Sequence, residues 1–279
     1  MKQKHILTIQ DISCVGRCSL TVALPIISAA GVEASIIPTA VLSTHTGGFE
    51  GYTYRDLTSD ILPITNHWES LGISFDAMYT GYLGSFEQID IVSDIFDRFN
   101  TQSNFVLVDP AMADNGVLYG GFSPDFPMGM AGLCAKADII VPNLTEAAFM
   151  LGEDYIGDEH NQSYIENLLK KLRDLGSPNV VLTGVSLEPG KLGIATYDGS
   201  SISYYFKDLI EGYYHGTGDV YASSFLAAYM KKRDLLEAAA IATDFTVACI
   251  QRTANEDTER RYGVNFEECL PELMEALNN

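Results

Sequence analysis

Short, uninterrupted apolar runs recur along the chain, each closed by small or polar residues and most followed by a segment with helical spacing. They are Ile6, Leu7 and Ile9; Ala34 to Ile37; Ala77 to Thr80; Phe105 to Val108; Asp138 to Pro142; and Val180 to Gly184. A strand that is apolar on both sides must be covered on both sides, and consecutive parallel strands need a helical crossover to return the chain. The rhythm therefore predicts an α/β three-layer sandwich with a mostly parallel central sheet. Helices are expected at about Ser19 to Ala30, Phe86 to Phe99, Asn143 (as cap) to Met150, Tyr164 to Leu175, Val220 to Lys232, Leu235 to Arg252 and Phe266 to Leu277. A late hairpin, Leu192 to Tyr197 and Ile202 to Phe206, turns at Asp198-Gly199. No repeat, low-complexity tract or linker interrupts this order, so residues 1–279 are expected to form one domain.

Bulk properties exclude several functions. A formal net charge of -20 argues against a nucleic-acid or anionic-membrane partner, because a phosphate surface would be repelled over most of the protein. The five cysteines (Cys14, Cys18, Cys134, Cys249, Cys269) are odd in number and lack CxxC spacing, which predicts neither a disulfide framework nor a zinc site and fits a reducing cytoplasm. The amino-terminal apolar run ends at Gln10-Asp11, too short for a signal peptide or a membrane span. No Gly-x-Gly-x-x-Gly follows the first strand, which weakens a nicotinamide-dehydrogenase reading. The P-loop pattern is missing too, and the only Gly-Lys pair, Gly190-Lys191, sits in a turn after Pro189.

The strongest local signal is Gly216-Thr217-Gly218-Asp219, which runs directly into an apolar helical series. Two glycines let the backbone aim N–H groups at one point, and the first helical turn adds orphan donors and a partial positive charge, so this is a seat for an anion. Asp219 places a carboxylate on the rim, where it can take a proton from an attacking hydroxyl. The alternative, a tight turn with a first-turn carboxylate favoured by the dipole, has equal weight on these residues alone. With 17 Lys and Arg against 37 Asp and Glu, a polyphosphate would be neutralised by backbone donors and a divalent cation, which implies magnesium.

Other segments are open to two readings. Ser43 to Tyr52 is polar and glycine-rich, either a flap whose hydroxyls and His45 bond a small polar ring or an ordinary connection. Asp109 ends a buried strand, where it binds a cation or caps the next turn. Ala111 to Met128 lacks a sustained period and suggests a lid. Asn143 and Glu146 have capping-box spacing. The loop with Glu256, Asp257, Glu259, Arg260 and Arg261 reads as solvated surface.

Taken in order, these segments resemble the pyridoxal kinases of the ribokinase-like superfamily. The resemblance covers nearly the whole chain and rests on the first-strand loop, His45-Thr46-Gly47, Thr80 to Ser85, Asp109-Pro110 with Met112 and Asp114, Pro142-Asn143 with Glu146, Thr183, and Gly216 to Asp219. It implies ATP-dependent phosphorylation of the 5'-hydroxymethyl group of pyridoxal, pyridoxine or pyridoxamine. Asp219 would be the base, with Gly216, Thr217 and Gly218 forming the anion hole. Asp11, Ser13, His45, Thr46 and Tyr82 would meet the vitamer, and Asn143, Thr183 and Thr217 the nucleotide. Asp109 and Glu146 would sit near Mg2+ and the phosphates; a monovalent cation such as K+ and a homodimer are further family expectations. Two departures stand out: Gln10-Asp11 replaces the Gln-Ser common in such kinases, passing the ring contact to Asp11 or Ser13, and Thr44 precedes His45 where Asn is common. Hydroxymethylpyrimidine kinase activity is the close rival, and a non-catalytic vitamer- or nucleotide-binding protein the more distant one.

Overall fold

The computed structural model describes residues 3–231, 233–256 and 259–279; Lys232, the expected end of a helix, and Asp257 of the charged loop lie outside them. Among the described residues the main sheet has nine strands: β1 (His5–Ser13), β2 (Glu33–Leu42), β3 (Tyr54–Asp56), β4 (Ala77–Thr80), β5 (Phe105–Val108), β8 (Ile139–Ile140), β9 (Asn179–Val185), β10 (Lys191–Tyr197) and β11 (Ile202–Asp208). A separate two-stranded hairpin joins β6 (Ala113–Asp114) to β7 (Val117–Leu118). The helices are α1 (Leu20–Ala29), α2 (Thr58–Ser70), α3 (Phe86–Phe99), α4 (Phe126–Cys134), α5 (Leu144–Met150), α6 (Gln162–Asp174), α7 (Thr217–Met230), α8 (Leu235–Ala254) and α9 (Leu270–Asn278).

Strand order is β11-β10-β9-β8-β5-β4-β1-β2-β3. The stretch from β9 to β2 is parallel throughout, while β10, β11 and β3 pair antiparallel at the two edges. Alternation along each strand sorts side chains into two cores. Ile6, Tyr79, Leu107, Ile139 and Val181 pack under α1, α7, α8 and α9. Their neighbours Leu7, Met78, Val106, Ile140 and Val180 pack under α2, α3, α4 and α6. This is the expected three-layer arrangement, and it follows from the period-2 geometry of strands that are apolar on both sides.

Two helices are not among those expected from the sequence. One is α2, which runs continuously through Pro63; the other is α4, which begins at Phe126 inside the segment expected to be a lid. Apolar contacts with the second core decide both.

Strands β1 and β4 are neighbours, yet β1 leads to α1 on one face and β4 to α3 on the other. Their carboxyl ends therefore open a crevice, the usual ligand position in such sheets. The Gly81 N–H bonds to the Ile9 carbonyl across it at 3.2 Å. The β1–β2 register slips between Gln10 and Ile12, leaving Asp11 out of the ladder at the crevice.

Candidate functional site

Helix α7 begins at the crevice. Gly216 caps it at φ 73°, ψ 2°, a left-handed conformation, and a Cβ there would lie 2.1 Å from the Arg17 carbonyl oxygen, so only glycine lets the two segments meet. The first helical bond runs from the Val220 N–H to the Gly216 carbonyl at 3.0 Å. The N–H groups of Thr217, Gly218 and Asp219 precede that bond and have no intrahelical acceptor. Gly218 faces open space where a Cβ would stand. The Thr217 hydroxyl is turned inward, donating to the Tyr214 carbonyl at 3.3 Å. Backbone donors, not side chains, therefore make the seat.

Four carboxyl groups gather around it: Asp219, Asp11, Asp109 and Glu146. Burial lifts Asp219 to about 7; the N–H of Ser19 works against that rise and the charge of Asp11 adds to it. Burial also raises Asp11, although Ser19 and Ser13 donate hydroxyl bonds to its Oδ1 and Oδ2 at 2.5 and 3.2 Å. Asp109 is raised by burial and then by Glu146 and Asp219. Glu146 is raised by burial against the pull of backbone N–H groups.

Glu146 and Asn143 form the capping box that their spacing predicted. Glu146 accepts from the N–H of Asn143 at 2.9 Å and of Met112 at 3.1 Å, while Asn143 Oδ1 accepts from the Glu146 N–H at 2.9 Å. Asn143 also donates to the Ala113 carbonyl at 2.8 Å, and it bridges to Thr183, whose hydroxyl donates to the Pro142 carbonyl at 3.4 Å. Both oxygens of Glu146 are thus engaged by backbone, whereas no hydrogen bond from the described residues reaches the carboxylate of Asp109. Among the described residues no group of three His, Cys, Asp or Glu side chains can hold a metal ion. A magnesium ion fits here only with phosphate oxygens and water completing its shell, which is the usual habit of that hard cation.

A cavity of 290 Å³ lies beside the crevice, lined among others by Thr46, Tyr52, Tyr54, Asp56, Tyr82 and Phe122. Two of the predicted contacts, Thr46 and Tyr82, are in its wall. Tyr82 and Phe122 are 5.5 Å apart between ring centroids, and Phe122 stacks on Phe126 at 3.9 Å. Asp11 is not part of that wall, but its charge is among those that raise the phenols of Tyr54 and Tyr82. His45 also stands outside it. Its Nε2 donates to the Arg261 carbonyl at 2.6 Å and its Nδ1 accepts from the Gly47 N–H at 3.2 Å, so both ring nitrogens are spent on holding the flap. Ser13 is wholly buried behind Asp11.

Sequence reasoning missed the wall contributed by Tyr54 and Asp56. Their signal was the alternation Tyr52-x-Tyr54-x-Asp56, which puts all three side chains on one side of an extended segment. The exposed loop at 259–262 is more than solvated surface. Arg261 lies over Phe49 at 5.0 Å and Arg260 over Tyr214 at 4.7 Å, so the loop ties the flap to the segment leading into α7.

Comparison with known proteins adds lineage to this geometry. The family model described as phosphomethylpyrimidine kinase matches residues 23–263. The chain is 29% identical over 190 residues to pyridoxine kinase of Bacillus subtilis, covering 65% of this chain and 66% of that one, just under two thirds of the relative's length. Among solved structures, a Bacteroides thetaiotaomicron protein provisionally assigned as a phosphomethylpyrimidine kinase, crystallised with pyridoxal, is 36% identical with a TM-score of 0.93, covering 98% of this chain and 96% of that one. Pyridoxal kinase from Lactobacillus plantarum is 29% identical with a TM-score of 0.90, covering 99% and 98%.

Proposed function

Since the chain belongs to the phosphomethylpyrimidine kinase family, with the ribokinase-like fold, we propose that it transfers the γ-phosphoryl group of ATP to the 5'-hydroxymethyl group of pyridoxal, pyridoxine or pyridoxamine. The observation that carries the reading is Asp219, a carboxylate poised at about 7 in the first turn of a helix whose leading N–H groups are uncommitted. A base near neutrality can accept the hydroxyl proton as the oxygen attacks phosphorus. The bond between the γ-phosphorus and the β–γ bridging oxygen then breaks and ADP leaves. The N–H groups of residues 217–219 face the charge that spreads over the transferring group, and they need no reorganisation to do so.

The acceptor ring fits the cavity, with Tyr82 and Phe122 offering aromatic faces and Thr46 a hydroxyl. Asp11 stands within electrostatic reach and would favour a protonated ring nitrogen. Asn143, Thr183 and Thr217 line the nucleotide side. Asp109 would hold magnesium, with Glu146 beside it, and the bound ion supplies neutralisation of the phosphates. A monovalent-cation requirement, a homodimer and a cytoplasmic location complete the proposal. No helix among the described residues is long and apolar enough to cross a membrane.

The vitamer assignment is supported by the aromatic cavity and by the Bacteroides relative crystallised with pyridoxal. The second reading, hydroxymethylpyrimidine as acceptor, is supported by the family's description. The test is purified protein with ATP and magnesium against each vitamer and the pyrimidine. A higher kcat/KM for a vitamer is expected. Equal or better use of the pyrimidine would overturn the vitamer assignment, and no turnover of any of them would overturn the kinase reading.

A further inference from the structure

Ser19 stands at the N-cap of α1 but does not cap it. A serine there ordinarily accepts from an N–H of the first turn, and at α1 that bond is not made. The hydroxyl donates instead to Asp11 Oδ1 at 2.5 Å. The backbone of Ser19 lies at φ 55°, ψ -132°, a region in which any Cβ is strained. Among the described residues only one other non-glycine, Asn115, has positive φ, and it sits in an Asn-Gly turn that tolerates it. Ser19 is anchored in this shape by an antiparallel bridge to Ile12, and its own N–H helps keep Asp219 charged.

The bond that Ser19 makes with its side chain thus goes to a carboxyl group on another element, Asp11 near the end of β1. Glycine would take up the same backbone without strain and would keep the N–H. What glycine lacks is the hydroxyl. The forfeited cap and the strained backbone are both costs with no return in local structure, which locates the return in the site.

We propose that Ser19 is a positioning residue for phosphoryl transfer: its hydroxyl holds Asp11 in place beside the acceptor cavity. The proposal rests on the reading of Asp219 as base and Asp11 as acceptor contact. Without the hydroxyl, only Ser13 and the backbone N–H of Asp11 itself offset its burial, so that carboxyl is expected to hold its proton to higher pH. The groups that feel its charge are Asp219 on α7, Cys18 in the loop, Tyr54 on β3 and Tyr82 after β4.

The test compares Ser19→Gly with Ser19→Ala. Both lose the hydroxyl, but only glycine relieves the backbone. Ser19→Gly should melt about 2–4 °C above wild type, and Ser19→Ala should not. Both should raise the acceptor KM about tenfold, the scale of a hydrogen bond to a charged group, and leave the ATP KM within about twofold. In both, the 13C-detected titration of the Asp11 carboxyl should move upward. A wild-type acceptor KM together with an unshifted Asp11 titration would overturn the positioning role. Equal melting temperatures for the two variants would overturn the strain argument. Melting and titration need no turnover, so they decide Ser19 even if the wild type phosphorylates none of the acceptors, a result that would instead count against the kinase reading.

Discussion

Asp219→Asn separates stability from catalysis in a way that the structure, unlike the sequence, can quantify. Burial moves the carboxyl from an ordinary 3.8 to about 7. Three pH units at about 1.36 kcal/mol each amount to about 4 kcal/mol. Because Asp219 keeps partial contact with solvent, screening reduces the working figure to about 2 kcal/mol. The sign follows from proton counting. Between pH 3.8 and 7 the folded protein holds a proton that the unfolded chain has released, so stability falls as pH rises through that window, and the penalty is complete above it. The helix dipole would reward the charge by about 0.3–1 kcal/mol, which is too little to reverse the balance. The amide removes the buried charge and keeps the size of the side chain. Asp219→Asn should therefore be more stable than wild type at pH 8, by about 4–8 °C in Tm, with a smaller gain at pH 5. Its kcat should drop about 10²–10⁴-fold while ATP still binds. Melting curves at both pH values, kcat and an ATP titration on one preparation test all of this. A variant less stable at pH 8, or equally displaced at both pH values, would refute the desolvation argument, and a near-normal kcat would remove Asp219 from the mechanism.

Glu146→Ala should lose about 2–5 kcal/mol in denaturant unfolding, because the N–H groups of Asn143 and Met112 are left without acceptors; an unchanged midpoint would show that water replaces the carboxylate. Gly216→Ala forces a Cβ to within 2.1 Å of a backbone oxygen at positive φ, so activity should collapse with a lowered Tm, and wild-type kinetics would mean that the two segments can part freely. Tyr82→Ala should raise the KM for the acceptor at least tenfold and spare that for ATP, a selectivity that initial-rate kinetics with each substrate varied will confirm or deny. Asp109→Asn should raise the magnesium concentration needed for half-maximal rate, and an unaltered magnesium dependence would place the cation elsewhere.

Much of the architecture was legible because it depends on local patterns. Apolar runs of four or five residues between helical segments announced the parallel strands, and Gly216 to Asp219 announced a helix start with unspent donors, since turn geometry and orphan N–H groups belong to the backbone of that segment alone. The spacing of Asn143 and Glu146 likewise implied the capping box that forms. The charged loop at 259–262 was read as surface because nothing within it records its partners in the flap, Phe49 and His45, which lie more than two hundred positions away.

What only the tertiary structure decided was the company each group keeps. Sequence marked Asp11, Asp109, Glu146 and Asp219 as separate candidates; folding gathers them around one crevice, and their burial there, not their identity, raises them. It marked Ser19 as an ordinary helix start, and the fold turned its hydroxyl away from the helix toward Asp11. Strand and cap propensities are set by neighbours in the chain, so a sequence carries them openly. Desolvation and charge coupling are set by neighbours in space, and those exist only once the β1–β4 crevice has closed over them.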